Sequence, residues 1–180
     1  MIRFLTASTL LRIAVTPVVM ALVLADARGP AAVLFALAAV TDYYDGYLAR
    51  RWGLTTTLGS FLDTTADKLL VAGTLIALVA VERGSPWVAA IIVGRELMIL
   101  GLRALVAVEG EVVVPSLLGK SKTVVQFVAI LLAILRPGDP LGPLHLDEWA
   151  MLLAAAVTLW SGADYLVRFS SSLRALPLQR

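Results

Sequence analysis

Apolar residues run along this chain in six long blocks, separated by short breaks rich in glycine, proline and charge. The blocks cover roughly Ala7–Ala25, Pro30–Arg51, Gly59–Val81, Pro86–Val108, Leu117–Leu135 and Trp149–Phe169. Between them lie turn-forming strings such as Asp26-Ala-Arg-Gly-Pro, Glu82-Arg-Gly-Ser-Pro and Arg136-Pro-Gly-Asp-Pro. Each block is about 19 residues or longer, enough for a helix to cross hydrocarbon. Lipid admits only helices or closed barrels, and the blocks lack the alternation of barrel strands. The pattern predicts an all-α integral membrane protein with six transmembrane helices. The connections are too short to hold a second domain, so residues 1–180 read as one domain.

Composition agrees. Of 180 residues, 59% are hydrophobic and 16% charged, with a mean hydropathy of +0.89; a soluble domain carries about 25% charged residues. A net charge of +2 shows no bias toward polyanions, so no nucleic-acid partner is expected. The absence of cysteine removes disulfides, thiolate metal sites and cysteine nucleophiles. Ala25-Asp-Ala27 resembles a cleavage site, but Arg12 and Pro17 interrupt the apolar run a signal peptide would need, so the first block reads as a retained span. With six spans, both termini share a side with the second-to-third and fourth-to-fifth connections. That side holds Arg3, Arg12, Arg50, Arg51, Lys120, Lys122, Arg168, Arg174 and Arg180, against Arg28, Arg83 and Arg136 opposite. The bias makes that side cytoplasmic and the protein a multi-pass cell-membrane protein.

The second and third blocks contain charges that lipid should exclude, among them Asp42, Asp45, Asp63, Asp67 and Lys68. A carboxylate at mid-helix costs about 2.5–3.5 kcal/mol on insertion scales. Their spacing is informative. Asp42, Asp45, Gly46, Ala49 and Arg50 fall on one stripe of the second helix, and Gly59, Asp63 and Asp67 on one stripe of the third. The short link makes the helices antiparallel, so the stripes can face each other. Converging carboxylates call for a hard cation, and Mg²⁺ or Mn²⁺ fits oxygen ligands shared with phosphate. Gly46 and Gly59 leave room for a base or phosphate, and Arg50 can fork onto phosphate oxygens. Two readings compete: aspartates that merely pair with Arg50, Lys68 and other helices, and a proton or cation path.

The string Asp42-x2-Asp45-Gly46-x2-Ala49-Arg50-x8-Gly59-x3-Asp63-x3-Asp67 resembles the signature of the CDP-alcohol phosphotransferase family, with every fixed position filled. The resemblance covers nearly the whole chain, since family members of this type also have six spans with the motif on the second and third. It implies that Asp42, Asp45, Asp63 and Asp67 hold two divalent cations, Mg²⁺ or Mn²⁺, on the diphosphate of a CDP-linked lipid. It further implies that Asp67 is the general base, and that Gly46, Ala49, Arg50 and Gly59 form the nucleotide pocket. Tyr43, Tyr44 and Tyr47 fall between motif positions and read as packing or interfacial residues.

Three softer strings concern the acceptor: Gly94-Arg95-Glu96 with Arg103, Gly119-Lys120-Ser-Lys122-Thr123-x2-Gln126, and Ser161-Gly162-x2-Tyr165. They look like those of bacterial family members that use glycerol 3-phosphate and CDP-diacylglycerol; Thr9-x2-Arg12 followed by Pro17 is similar too, with Thr6 standing where an asparagine is usual. A dianionic acceptor beside four carboxylates needs its own cationic pocket. Arg103, Lys120, Lys122 and Arg168 are the candidates, with Arg103 favoured over the deeper Arg95. Against this stand simple snorkelling for the lysines and Arg168, and ion pairs of Arg95 or Arg103 with Glu96 or Asp164. Inositol phosphate and phosphatidylglycerol remain alternative acceptors, and a cation- or proton-coupled transporter is a distant alternative from another class. His145, with Asp147 and Glu148, reads as a solvated external loop. The resemblance also implies a homodimer.

Overall fold

The chain forms six α-helices: α1 (Ile2–Leu24), α2 (Arg28–Arg51), α3 (Thr57–Ala80), α4 (Pro86–Val108), α5 (Leu117–Leu135) and α6 (Leu146–Ala175). This computed structural model describes the backbone of residues 2–51, 57–108 and 117–175, and the side chains outside 1–8, 42–43, 45–50, 52–61, 106–120 and 168–180. Among the described residues there is no strand, only an isolated bridge between Leu141 and Leu144.

The helices α4 and α5 span the same residues as their apolar blocks, whereas α6 begins before its block and runs past it. Its first turn is polar: His145 N–H donates to Glu148 Oε2 (2.8 Å), half of a capping box. Asp147 is fully buried there. This stretch is therefore a helix start tucked into the protein, not the solvated loop its polarity suggested.

Three connections share one design. α1 and α3 end in paired bonds, Ala27 N–H to Leu22 O with Asp26 N–H to Val23 O, and Arg83 N–H to Leu78 O with Glu82 N–H to Val79 O. Such an ending needs a left-handed residue, ordinarily glycine. Here it is Asp26 (φ 56°) and Glu82 (φ 58°), and Arg136 (φ 44°) takes the same conformation after α5. Charged side chains then tie the turns together. Arg83 pairs with Asp26 and reaches Ile134 O (3.5 Å), while Arg136 donates to Glu82 O (3.3 Å) and lies 3.8 Å from Glu148. Arg28, bonded to Asp26 at 2.9 Å, and then Arg83 hold the Asp26 carboxyl down at about 2.

The packed interior includes Val19 and Val23 of α1, Phe35 of α2, Leu70, Leu75 and Leu78 of α3, Ile92 of α4, Ile130 and Ile134 of α5, and Ala154 of α6. Phe35 meets Phe127 at 5.5 Å and ties α2 to α5. Two polar side chains in this interior bond within it: Thr74 donates to Leu70 O (2.7 Å), and Gln126 to Thr158 (2.8 Å). α3 lies chiefly against α1, α6 against α5 and α4, and α2 against α1 and α5. Among the described residues, α2 and α3 are held mainly by other helices.

Large apolar side chains also cover the outside, including Leu11, Val33, Ile76, Trp87, Val124 and Trp160, one on each helix. By length and composition, one described helix segment, Leu146–Val167, is apolar enough to cross a membrane; Thr9–Leu24, Arg28–Thr41 and Ser121–Leu135 are apolar but shorter.

Candidate active site

The described half of the aspartate motif lies on α3, where Asp63 and Asp67 are one turn apart on the same face. α1 runs beside it at close range because Gly73 has no side chain. A Cβ there would fall 2.9 Å from both Met20 Sδ and Thr16 Cγ2. The contact brings buried Arg12 to Asp63, with Nη1 3.1 Å from Oδ1 and Thr9 Oγ1 donating to the same oxygen at 3.5 Å. Thr9 and Arg12 were noted in the sequence only as an N-terminal likeness. Their partner on α3 is a tertiary fact that spacing along α1 does not carry.

One turn further on, Asp67 Oδ1 is buried and has no hydrogen-bond partner. The neighbouring ammonium of Lys68 is turned instead to Glu96 of α4, at 3.4 Å from Oε2. Glu96 Oε1 also takes Lys122 of α5 and Arg95 Nη1 (3.5 Å). Arg95 Nη2 in turn donates to Ser161 of α6 (2.8 Å). Gly162 leaves room for the Arg95 stem, since a Cβ there would meet Arg95 Cγ at 3.3 Å. Four helices therefore meet around one carboxylate. Two of its partners, Lys122 and Arg95, were among the residues weighed for the acceptor phosphate, and both are engaged with Glu96. Among the described residues, the direct ion pair of Lys68 is with Glu96 and not with an aspartate of α3.

Arg103 is exposed, about two turns beyond Glu96 on α4, with its guanidinium 5.7 Å from the centre of the Tyr165 ring. Tyr44 is exposed, as an interfacial residue would be. Asp42, Asp45, Gly46, Ala49, Arg50, Gly59, Lys120 and Arg168, with Tyr43 and Tyr47, lie outside the residues whose side chains are described.

The residues present suit a hard divalent cation. Asp63 and Asp67 offer carboxylate oxygens from one helical face, and the buried Oδ1 of Asp67 is an acceptor with no hydrogen-bond partner in the protein. Among the described residues no group of three or more acidic or histidine ligands converges, so a complete ligand set would draw on the α2 half of the motif.

An acidic face on α3 stands beside a cluster of cations around Glu96 in an all-helical frame. The chain belongs to the CDP-alcohol phosphatidyltransferase family, whose model matches residues 6–160. Among its curated relatives is the CDP-diacylglycerol--glycerol-3-phosphate 3-phosphatidyltransferase of Bacillus subtilis, 37% identical over 185 residues that cover 93% of this chain and 94% of the relative. Proteins of the same name are similar in Pectobacterium atrosepticum, 40% identical over 89% of this chain and 91% of the relative, and in Sodalis glossinidius, 43% over 75% of each.

Proposed function

We propose that the protein transfers the phosphatidyl group of CDP-diacylglycerol to glycerol 3-phosphate, releasing CMP and forming phosphatidylglycerophosphate for phospholipid synthesis. The observation that carries this reading is the likeness to relatives named for that reaction along most of the chain, with the whole aspartate motif in place.

In this reading Asp67 accepts the proton of the acceptor hydroxyl. The hydroxyl oxygen forms a bond to the phosphorus that bears the lipid, and the bond from that phosphorus to the oxygen of CMP breaks. Asp42, Asp45, Asp63 and Asp67 would hold two Mg²⁺ or Mn²⁺ ions, which would supply positive charge against the diphosphate. Arg12 fixes the Asp63 carboxylate through the 3.1 Å bond. Gly46, Ala49, Arg50 and Gly59 form the nucleotide pocket. Arg103, Lys120 and Arg168 receive the acceptor phosphate, and the exposure of Arg103 supports that role. Lys122, weighed for that pocket, is buried on Glu96 instead.

All six helices cross the membrane as one domain, 1–180, with the aspartates near the cytoplasmic side. Two observations support this: the apolar side chains on the outward faces of every helix, and the excess of basic residues on one side. We propose a homodimer, which the exposed apolar faces permit.

The test is CMP release by the purified protein from CDP-diacylglycerol with Mg²⁺, offering glycerol 3-phosphate, inositol 1-phosphate and phosphatidylglycerol in turn. Release with glycerol 3-phosphate alone is the expected result. Release with a different acceptor would keep the aspartate chemistry and overturn the acceptor. Intact donor with every acceptor, and no donor binding, would return the transport reading.

A further inference from the structure

We infer that Tyr165 is a positioning residue, whose ring face steadies the Arg103 guanidinium while leaving its N–H donors free for the phosphate of the acceptor. The inference rests on the reading of Arg103 as a ligand of that phosphate.

Two arginines of α4 meet α6, and α6 treats them differently. Ser161 and Tyr165 lie one turn apart on a buried face of α6. Ser161 accepts a hydrogen bond from Arg95 Nη2 (2.8 Å), and Arg95 Nη1 lies 3.5 Å from Glu96 Oε1. Both terminal nitrogens of Arg95 are thus engaged inside the protein. Arg103 meets no such acceptor. Its guanidinium carbon stands 5.7 Å from the centre of the Tyr165 ring, and among the described residues no carboxylate pairs with it. Tyr165 is itself buried, its hydroxyl included, so what it presents to Arg103 is the ring and not the phenolic oxygen.

The kind of partner matters. An exposed arginine with nothing beside it samples many rotamers, and ordering it on a ligand costs entropy. A carboxylate would order it but would occupy its N–H groups and cancel its charge. An aromatic ring attracts the cation through its quadrupole and takes no conventional hydrogen bond, so the donors stay available. The place is also suitable. Arg103 lies one turn in from the end of α4, and Asp63 one turn in from the start of α3, a helix that packs on α4. A phosphate held on Arg103 would therefore stand at the same end of the bundle as the aspartates.

The test is steady-state CMP release by the purified full-length protein in detergent, with glycerol 3-phosphate varied at saturating CDP-diacylglycerol and Mg²⁺. Tyr165→Leu is expected to raise KM for glycerol 3-phosphate by about three- to fivefold, with kcat held within about twofold. Tyr165→Phe keeps the ring face and should hold KM within about twofold. Arg103→Gln is expected to raise KM by about tenfold. Adding Tyr165→Leu to it should raise KM no further, because the ring then has no guanidinium to steady. Should Tyr165→Leu fail to fold, phenylalanine bearing three ring fluorines in place of Tyr165 keeps the shape and removes the negative ring face. That variant should raise KM by about threefold over Tyr165→Phe, a change that loss of packing would not produce. An unchanged KM in Tyr165→Leu or in the fluorinated variant would overturn the inference. So would a rise in Tyr165→Phe as large as in Tyr165→Leu, or an equal effect of Tyr165→Leu with and without Arg103. An unchanged KM in Arg103→Gln would overturn the reading of Arg103 as an acceptor ligand, and the inference with it. No CMP release with glycerol 3-phosphate by the unaltered protein would overturn the proposed reaction itself.

Discussion

The two ends of the helical bundle use charge in opposite ways. At the end where α1 meets α2, α3 meets α4 and α5 meets α6, charged side chains fasten turns to one another: Arg83 joins Asp26 to Ile134 O, and Arg136 joins Glu82 O to Glu148. At the other end, acids and bases are sorted. Arg12 holds Asp63, three cations gather on Glu96, and a buried Asp67 oxygen is left unmet. Charge that closes a structure is spent on its neighbours, whereas charge kept for chemistry stays available to a ligand. Asp147 is the exception at the closed end, since both of its buried oxygens lack hydrogen-bond partners. Its place in the first turn of α6 sets it against the positive end of the helix.

The largest expected effect lies at the sorted end. Asp67→Asn keeps the side-chain shape and removes the base. Turnover should fall by about a thousandfold in a CMP-release assay, with CDP-diacylglycerol binding largely retained. Near-normal turnover would remove the general-base assignment and blur the contrast between the ends.

Gly73→Ala tests the close approach of α1 that sets Arg12 on Asp63. Thr16 cannot yield easily, because its hydroxyl is bonded to Arg12 O at 3.0 Å and its methyl lies 2.9 Å from the new Cβ. Overpacking outweighs the better helix propensity of alanine, and thermal unfolding should show a loss of about 1–2 kcal/mol.

A smaller effect is expected at the closed end. Arg83→Met keeps the apolar stem and leaves Asp26 to Arg28 alone, so the unfolding midpoint should drop by a few degrees while CMP release per folded molecule stays unchanged. Asp26, held by Arg28 and then by Arg83, also gives a pH signature. With its folded pKa held at about 2, below the ordinary 3.8, Asp26 contributes stability that is complete above 3.8 and lost as pH falls toward 2. Asp26→Asn should flatten that part of the pH profile of the unfolding midpoint. The smallest change runs the other way: Glu82→Gly relieves a left-handed residue at φ 58° and should stabilise by about 0.5–1 kcal/mol.

Much of this was legible along the chain. The α4 and α5 bounds matched because Pro86 and the glycine- and proline-rich breaks mark where apolar runs stop. The α6 start was missed because its first turn is held by the polar pair His145 and Glu148, which no hydropathy pattern includes. The aspartate stripes were visible because helical spacing is itself geometry. Arg12 on Asp63, and Glu96 among Lys68, Arg95 and Lys122, were not visible, because each depends on which helices lie side by side. Lys122 shows the difference most clearly: as a basic residue near a span end it looked free for a phosphate, and it is buried against a carboxylate from a neighbouring helix.

The most direct test of the central claim, that the acidic end is reserved for cations and phosphate chemistry, is product formation in vesicles before and after removal of divalent metal. With CDP-diacylglycerol and glycerol 3-phosphate supplied, phosphatidylglycerophosphate should appear in step with CMP, vanish on chelation with EDTA and return when Mg²⁺ or Mn²⁺ is restored. Product formation that continues unchanged in EDTA would contradict the account.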